Sequence, residues 1–156
     1  EGTRPLLLEA QALVDASALG NPRRVAVGFE HNRLSMLLAI LHRHGGLQVG
    51  DQDVFVNAVG GIRIDETSSD LALILAVASS FRNRALPLDL VCFGEVGLSG
   101  EIRPVPNGQE RIREAAKHGF RIAIVPEGNK PRQQVSGMKV IPVRKLGDVL
   151  AALEEL

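Results

Sequence analysis

The sequence has no tryptophan, no tyrosine and only five phenylalanines among its 156 residues. A surface that stacks unpaired bases on aromatic rings is therefore poorly supplied. Its one cysteine, Cys92, lies in the apolar run Leu88-Asp89-Leu90-Val91-Cys92-Phe93. It has no partner for an intrachain disulfide, which favours a reducing compartment and points to the cytoplasm. The longest apolar run, Leu71 to Ala78, is far below the roughly 20 residues needed to cross a bilayer, so no membrane association is expected. Neither sign of charge is in excess, with 18 Lys and Arg against 18 Asp and Glu. No global field then draws the chain onto nucleic acid or an anionic membrane, and any such contact must come from a local patch or from symmetry that concentrates one. The start Glu1-Gly2-Thr3-Arg4-Pro5 lacks the basic n-region of a signal peptide. It also lacks an initiator methionine, so residues 1–156 read as one domain of a longer protein.

With 45% hydrophobic residues, the chain can build one compact core. Leu6 to Val14 reads as a strand with one wetter face, the Gly20-Asn21-Pro22 turn follows, and Arg23 to Phe29 is a second strand. Asn32 is a cap candidate for a helix through His42 that presents Leu34, Leu37, Leu38 and Leu41 on one face and ends at Gly45-Gly46. Asp53 to Val59 predicts a strand that Ile62-Arg63-Ile64 extends past a Gly60-Gly61 bend. Apolar residues on every side of the helix Leu71 to Arg82 make it the central, most buried one. Leu88–Phe93 and Gly100–Val105 read as strands joined by a turn, Gly108–His118 as a helix, Arg121–Pro126 and Lys139–Val143 as short strands, and Leu146–Leu153 lies on a final helix. Strands interleave with helices throughout, so the class is α/β in a single domain.

Several ordered motifs carry a resemblance. They are Val59-Gly60-Gly61-Ile62, Ser69-Asp70-Leu71-Ala72, Phe93-Gly94-Glu95-Val96-Gly97-Leu98, and Glu110-Arg111-Ile112 with Glu114-Ala115-Ala116-Lys117-His118-Gly119-Phe120. In this order they resemble the proteolytic domain of Lon-type proteases, which implies a fold like domain 2 of ribosomal protein S5. The chain is most similar to one branch, the C-terminal Lon-like domain of the bacterial RadA (Sms) recombination family, and Gly20-Asn21-Pro22-Arg23-Arg24 and His31-Asn32-Arg33-Leu34 extend that likeness over nearly the whole chain.

The proteases use a serine-lysine dyad, in which a lysine of lowered pKa accepts the serine proton and passes it to the leaving amine. By the resemblance, the nucleophile position falls on Ser68 and the aspartate that opens its loop on Asp65. The lysine position falls on Gln109, and an amide cannot accept that proton near neutral pH. Lys117, Lys130, Lys139 and Lys145 lack the spacing to replace it. The threonine before Gly94-Glu95 becomes Phe93, and Glu66 and Asp70 bring negative charge where an oxyanion needs donors. These vestigial positions imply no catalysis. Ser68 then reads either as part of a Thr67-Ser68-Ser69-Asp70 helix-cap cluster or as a residual nucleophile.

No Gly-x-x-x-x-Gly-Lys-Ser/Thr loop is present, so no nucleotide site of that kind is expected. His42 and His44 suit a helix end, and His31 and His118 are isolated, so no metal site is expected. Basic residues group at Arg23-Arg24 with Arg33, at Arg82 and Arg84, at Arg111, Arg113 and Lys117, and at Arg144-Lys145. The first group is the favoured DNA contact, because it lies in segments particular to the recombination branch. Such contacts would be to phosphates and sensitive to salt. The resemblance implies a domain that organises a ring, a homohexamer, and helps to hold DNA. It also implies a longer DNA-dependent ATPase and branch-migration helicase of recombinational repair, partnered by a RecA-type recombinase. Its N-terminal zinc finger and RecA-like motor, outside this chain, would hold Zn, ATP and Mg. The rival readings are a serine peptidase with a replacement base, and an adaptor that binds peptides without turnover.

Overall fold

The computed structural model describes residues 6–18 and 20–156. Among the described residues, eight strands and four α-helices are interspersed in the order β1 (Ala10–Ala16), β2 (Arg24–Val27), α1 (His31–Gly45), β3 (Gln52–Ala58), α2 (Asp70–Arg82), β4 (Leu90–Cys92), β5 (Glu95–Val96), β6 (Ile102–Arg103), α3 (Gly108–Lys117), β7 (Ile122–Pro126), β8 (Lys139–Val143) and α4 (Leu146–Glu154). The strands form a sheet of order β1-β3-β2, a sheet of order β4-β7-β8 and a β5-β6 hairpin. In the first sheet β3 is antiparallel to β1 and parallel to β2, so Phe55 faces Leu13 on one side and Val25 on the other. The second sheet is wholly parallel.

Helix α2 is the hub expected from its all-round apolar pattern: Leu71, Leu73, Ile74, Leu75, Val77 and Ala78 are all buried. It lies on β1 and beside α1, and α1 packs in turn on α4. These elements share one core with Val54, Val56, Val96, Ile102 and Ile124. A smaller core joins Ile112 and Ala115 of α3 to Phe93, Val105, Ala123, Val125 and Met138. Strand side chains alternate between faces, so Ile124 enters the first core while its neighbours Ala123 and Val125 enter the second.

The structure corrects several sequence expectations. The first strand begins at Ala10 and not at Leu6. Ile62–Ile64 do not extend β3; the Ile64 N–H instead donates to Gly28 O at 2.6 Å, crossing to the end of β2. Gly28 accepts this arrangement because its φ of +85° is open to glycine. Glu30, not Asn32, caps α1, its carboxylate accepting the Arg33 N–H at 3.0 Å. The far end is as expected, with Gly46 left-handed and its N–H on His42 O. The 88–105 region is no single pair of strands, since β4 joins the second sheet and Glu95–Val96 pairs with Ile102–Arg103 as a separate hairpin.

Candidate functional site

Where the two cores meet, a groove of about 780 Å³ opens. Its walls come from the 6–10 segment, Phe29 and Ile64 behind the first sheet, the start of α2, strand β4, the Pro104–Asn107 turn and α3. Ser68, Asp65 and Phe93 all line it, so the structure gathers three of the four vestigial protease positions. Gln109 is not among them. It lines a second depression of about 260 Å³ with Gly108, Gly128, Asn129 and Lys130. The two share Val105 and Asn107 in their linings, and Asn129 clasps Val105 at both backbone groups, accepting its N–H at 2.8 Å and donating to its carbonyl at 2.9 Å. Helix α3 starts at a left-handed Asn107, and it is Arg111, one turn on, that reaches the groove.

The Ser68 hydroxyl donates to the Glu66 carboxylate at 3.2 Å. Glu66 is in turn 3.9 Å from the Arg111 guanidinium, which sits 5.7 Å over the Phe93 ring and donates to Pro106 O. The groove's cations are therefore Arg63 and Arg111, and a guanidinium keeps its proton in water and cannot serve as a base. The backbone beyond Ser68 is also committed. Ser69 N–H donates to Glu66 O at 3.2 Å, Asp70 N–H to Thr67 O, and Leu71 N–H to Gly94 O at 3.1 Å. None of these three donors is left for a developing oxyanion, whose stabilisation depends on such groups. The expected Thr67–Asp70 cap is absent as well, because no side-chain hydrogen bond caps α2 and a single 3-10 turn over Thr67–Ser69 leads into it.

The buried Asp70 and the partly exposed Arg33 form an ion pair, although the sequence suits each to another role. Arg33 Nε donates to Asp70 Oδ1 at 2.9 Å and Nη2 contacts Oδ2, while Asp70 also accepts the Val96 N–H at 3.0 Å. This ties α1, α2 and the hairpin together, and the Asp70 carboxylate raises the Arg33 pKa further. The favoured DNA group is thereby dispersed. Arg33 is spent on Asp70, and Arg24 clamps the carbonyls of Val49, Gly50 and Gln52. Arg23 alone stays largely exposed, bound to Asp53 at 3.3 Å and over the Phe55 ring. The Arg23 backbone N–H, helped by its guanidinium, holds the Asp53 carboxyl below the ordinary range.

A different basic surface emerges. Residues 111–145 carry nine Lys and Arg against two Asp and Glu, and this stretch runs from α3 through β7 and β8. All nine except Arg111 are exposed. Five of the nine, Arg111, Arg113, Lys117, Arg144 and Lys145, stand in basic groups already noted in the sequence, and a running charge count joins them to Arg121, Lys130, Arg132 and Lys139.

Fold and groove together define a mixed α/β domain with a groove between its two cores. A family model described as subunit ChlI of Mg-chelatase matches residues 17–129, and the chain belongs to that family. It is 72% identical over all 156 residues to the DNA repair protein RadA of Haemophilus influenzae and 67% identical to that of Escherichia coli, in each case covering 34% of the relative. Over 151 residues it is 44% identical to the DNA repair protein RadA of Halalkalibacterium halodurans, covering 96% of this chain and 33% of the relative. The chain thus spans about a third of the length of the curated relatives it matches.

Proposed function

We propose that this chain is a Lon-like domain that does not hydrolyse peptides, and that it serves a longer DNA-repair ATPase as a scaffold for ring assembly and as a contact for DNA. The observation that carries the reading is the charge partition. In a chain of zero net charge, residues 111–145 hold nine cations to two anions, and eight of the nine are exposed. A hexameric ring would repeat that basic stretch around its axis and multiply a modest local potential. The Ser68 groove supports the non-hydrolytic part, since Gln109 lies outside it and the N–H groups of Ser69, Asp70 and Leu71 are bonded internally. ATP, Mg and Zn would be held by segments beyond this chain, where a RecA-type recombinase would also be met, in the cytoplasm.

The test is binding of a fluorescent duplex across a salt series. Reversing Arg113, Lys117 and Arg121 to glutamate should weaken binding and flatten the slope of log affinity against log salt by about three. Reversing Arg24 and Arg33 should instead reduce folding stability. Unchanged DNA affinity in a folded variant of the first kind would overturn the reading. Sedimentation of the chain at low and high salt, with and without DNA, tests the ring.

A further inference from the structure

The first sheet keeps an apolar row on the face turned away from the core. Val54, Val56 and Ala58 of β3 point into the main core, with Ala12 and Ala26 packed against it, so by alternation Phe55 points to the opposite face. There it has Leu13 of β1 on one side and Val25 of β2 on the other. Leu13, Val25 and Val27 are 58%, 41% and 53% exposed, and neither they nor Phe55 belong to either core. Neighbouring strands lie about 4.8 Å apart, so the row Leu13-Phe55-Val25 runs about 10 Å across the strands. Contiguous exposed apolar side chains mark a contact surface, where scattered single ones do not.

The rim of this row is acidic. Asp15 and Asp53 stand opposite each other on β1 and β3, two residues along from Leu13 and Phe55, and Asp51 is exposed just before β3. Arg23 answers only Asp53, at 3.3 Å, while lying over the Phe55 ring, and Arg24 clamps backbone carbonyls. Among the described residues Asp15 and Asp51 have no ion-pair partner. Such a face repels nucleic acid phosphates. A second copy set against it face to face would bring these carboxylates onto their own counterparts. The exposed large apolar residues of the described chain all lie outside its helices, so no helix of a second copy offers a matching stripe. On a helix, apolar residues at i, i+3 or i+4 and i+7 form such a stripe, and i to i+7 spans about 10.5 Å, the length of the row. We infer that this face docks an amphipathic helix of a partner protein, laid across the strands with its apolar stripe on Leu13, Phe55 and Val25 and its basic side chains at Asp15 and Asp51. A contact resting on so few residues is transient.

The probe is a fluorescein-labelled helical peptide of about five turns, with leucine on one stripe, lysine beside it and alanine elsewhere, titrated into the 156-residue chain and followed by anisotropy. Saturable binding is expected, with amide shifts centred on Leu13, Val25 and Phe55. A scrambled peptide of the same composition, in which the stripe is broken, should bind about tenfold more weakly or worse. Leu13→Thr with Val25→Thr puts residues that suit strands at both positions, and should weaken binding as much while the urea midpoint barely moves. Asp15→Lys with Asp51→Lys should reverse the charge preference, so that a peptide with glutamate for lysine binds better than the lysine peptide. Equal affinity for the striped and scrambled peptides, indifference to both pairs of substitutions, or shifts centred away from the first sheet would overturn the inference. Sedimentation supplies the rival outcome: self-association of the chain that Leu13→Thr with Val25→Thr abolishes, without peptide binding, would give the face to a second copy and overturn it too.

Discussion

At Ser68 and Gln109 the chemistry turns on single side chains. Gln109→Lys should restore no hydrolysis, since position 109 lines the neighbouring depression and not the groove that holds Ser68. Absence of labelling by a fluorophosphonate probe and no cleavage of a fluorogenic peptide are the expected results. Ser68→Ala should alter stability by only about 0.5 kcal/mol, because the exposed hydroxyl has Glu66 as its partner. Asp70→Asn is the costly change. It strands the Arg33 charge beside a 1% exposed site and should destabilise by about 3 kcal/mol in urea unfolding. The thiol of Cys92 has its pKa pushed up to about 12 by burial, so iodoacetamide at pH 8 should label it only after unfolding. The missing lysine was legible in the sequence. The Arg33–Asp70 pair was not, because its partners lie 37 residues apart and each looked suited to another task, one to DNA and one to a helix cap.

Elements were legible wherever their pattern was self-contained. The burial of α2 followed from its apolar residues on every side, and the end of α1 from Gly45-Gly46. What failed were elements fixed by distant partners. The 62–64 segment has strand-like residues, but its Ile64 N–H is claimed by Gly28. Glu95–Val96 forms a strand only because Arg103 and Ile102 return to pair with it. The crossing at Gly28 is tightly built, since a β-carbon there would meet Ile62 O at 2.5 Å and Ala58 Cβ at 2.6 Å. Gly28→Ala combines that clash with a strained φ of +85°. It should cost about 2 kcal/mol or more, read as a lowered urea midpoint with an unchanged m-value.

The molecule as a whole should respond to acid through carboxylates held by hydrogen bonds. Asp53 is lowered by the Arg23 N–H, and Glu101 by its own backbone N–H and by Arg103. A depressed folded pKa contributes stability that is fully present above the unfolded value, about 4, and is lost as pH falls through the folded value. The urea midpoint should therefore decline below about pH 4, and Asp53→Asn should show a shallower decline from a lower starting point. The α/β class, the zero net charge and the basic run over residues 111–145 were open to direct reading, but the exposure of eight of its nine cations emerged only from the fold. Strand β7 has a mechanical consequence. Ile124 serves one core while Ala123 and Val125 serve the other, so the strand is a party wall that neither half can vacate without exposing the other. Heat should thus produce one melting transition, and the slowest amide exchange on either side of the wall should report the same opening free energy.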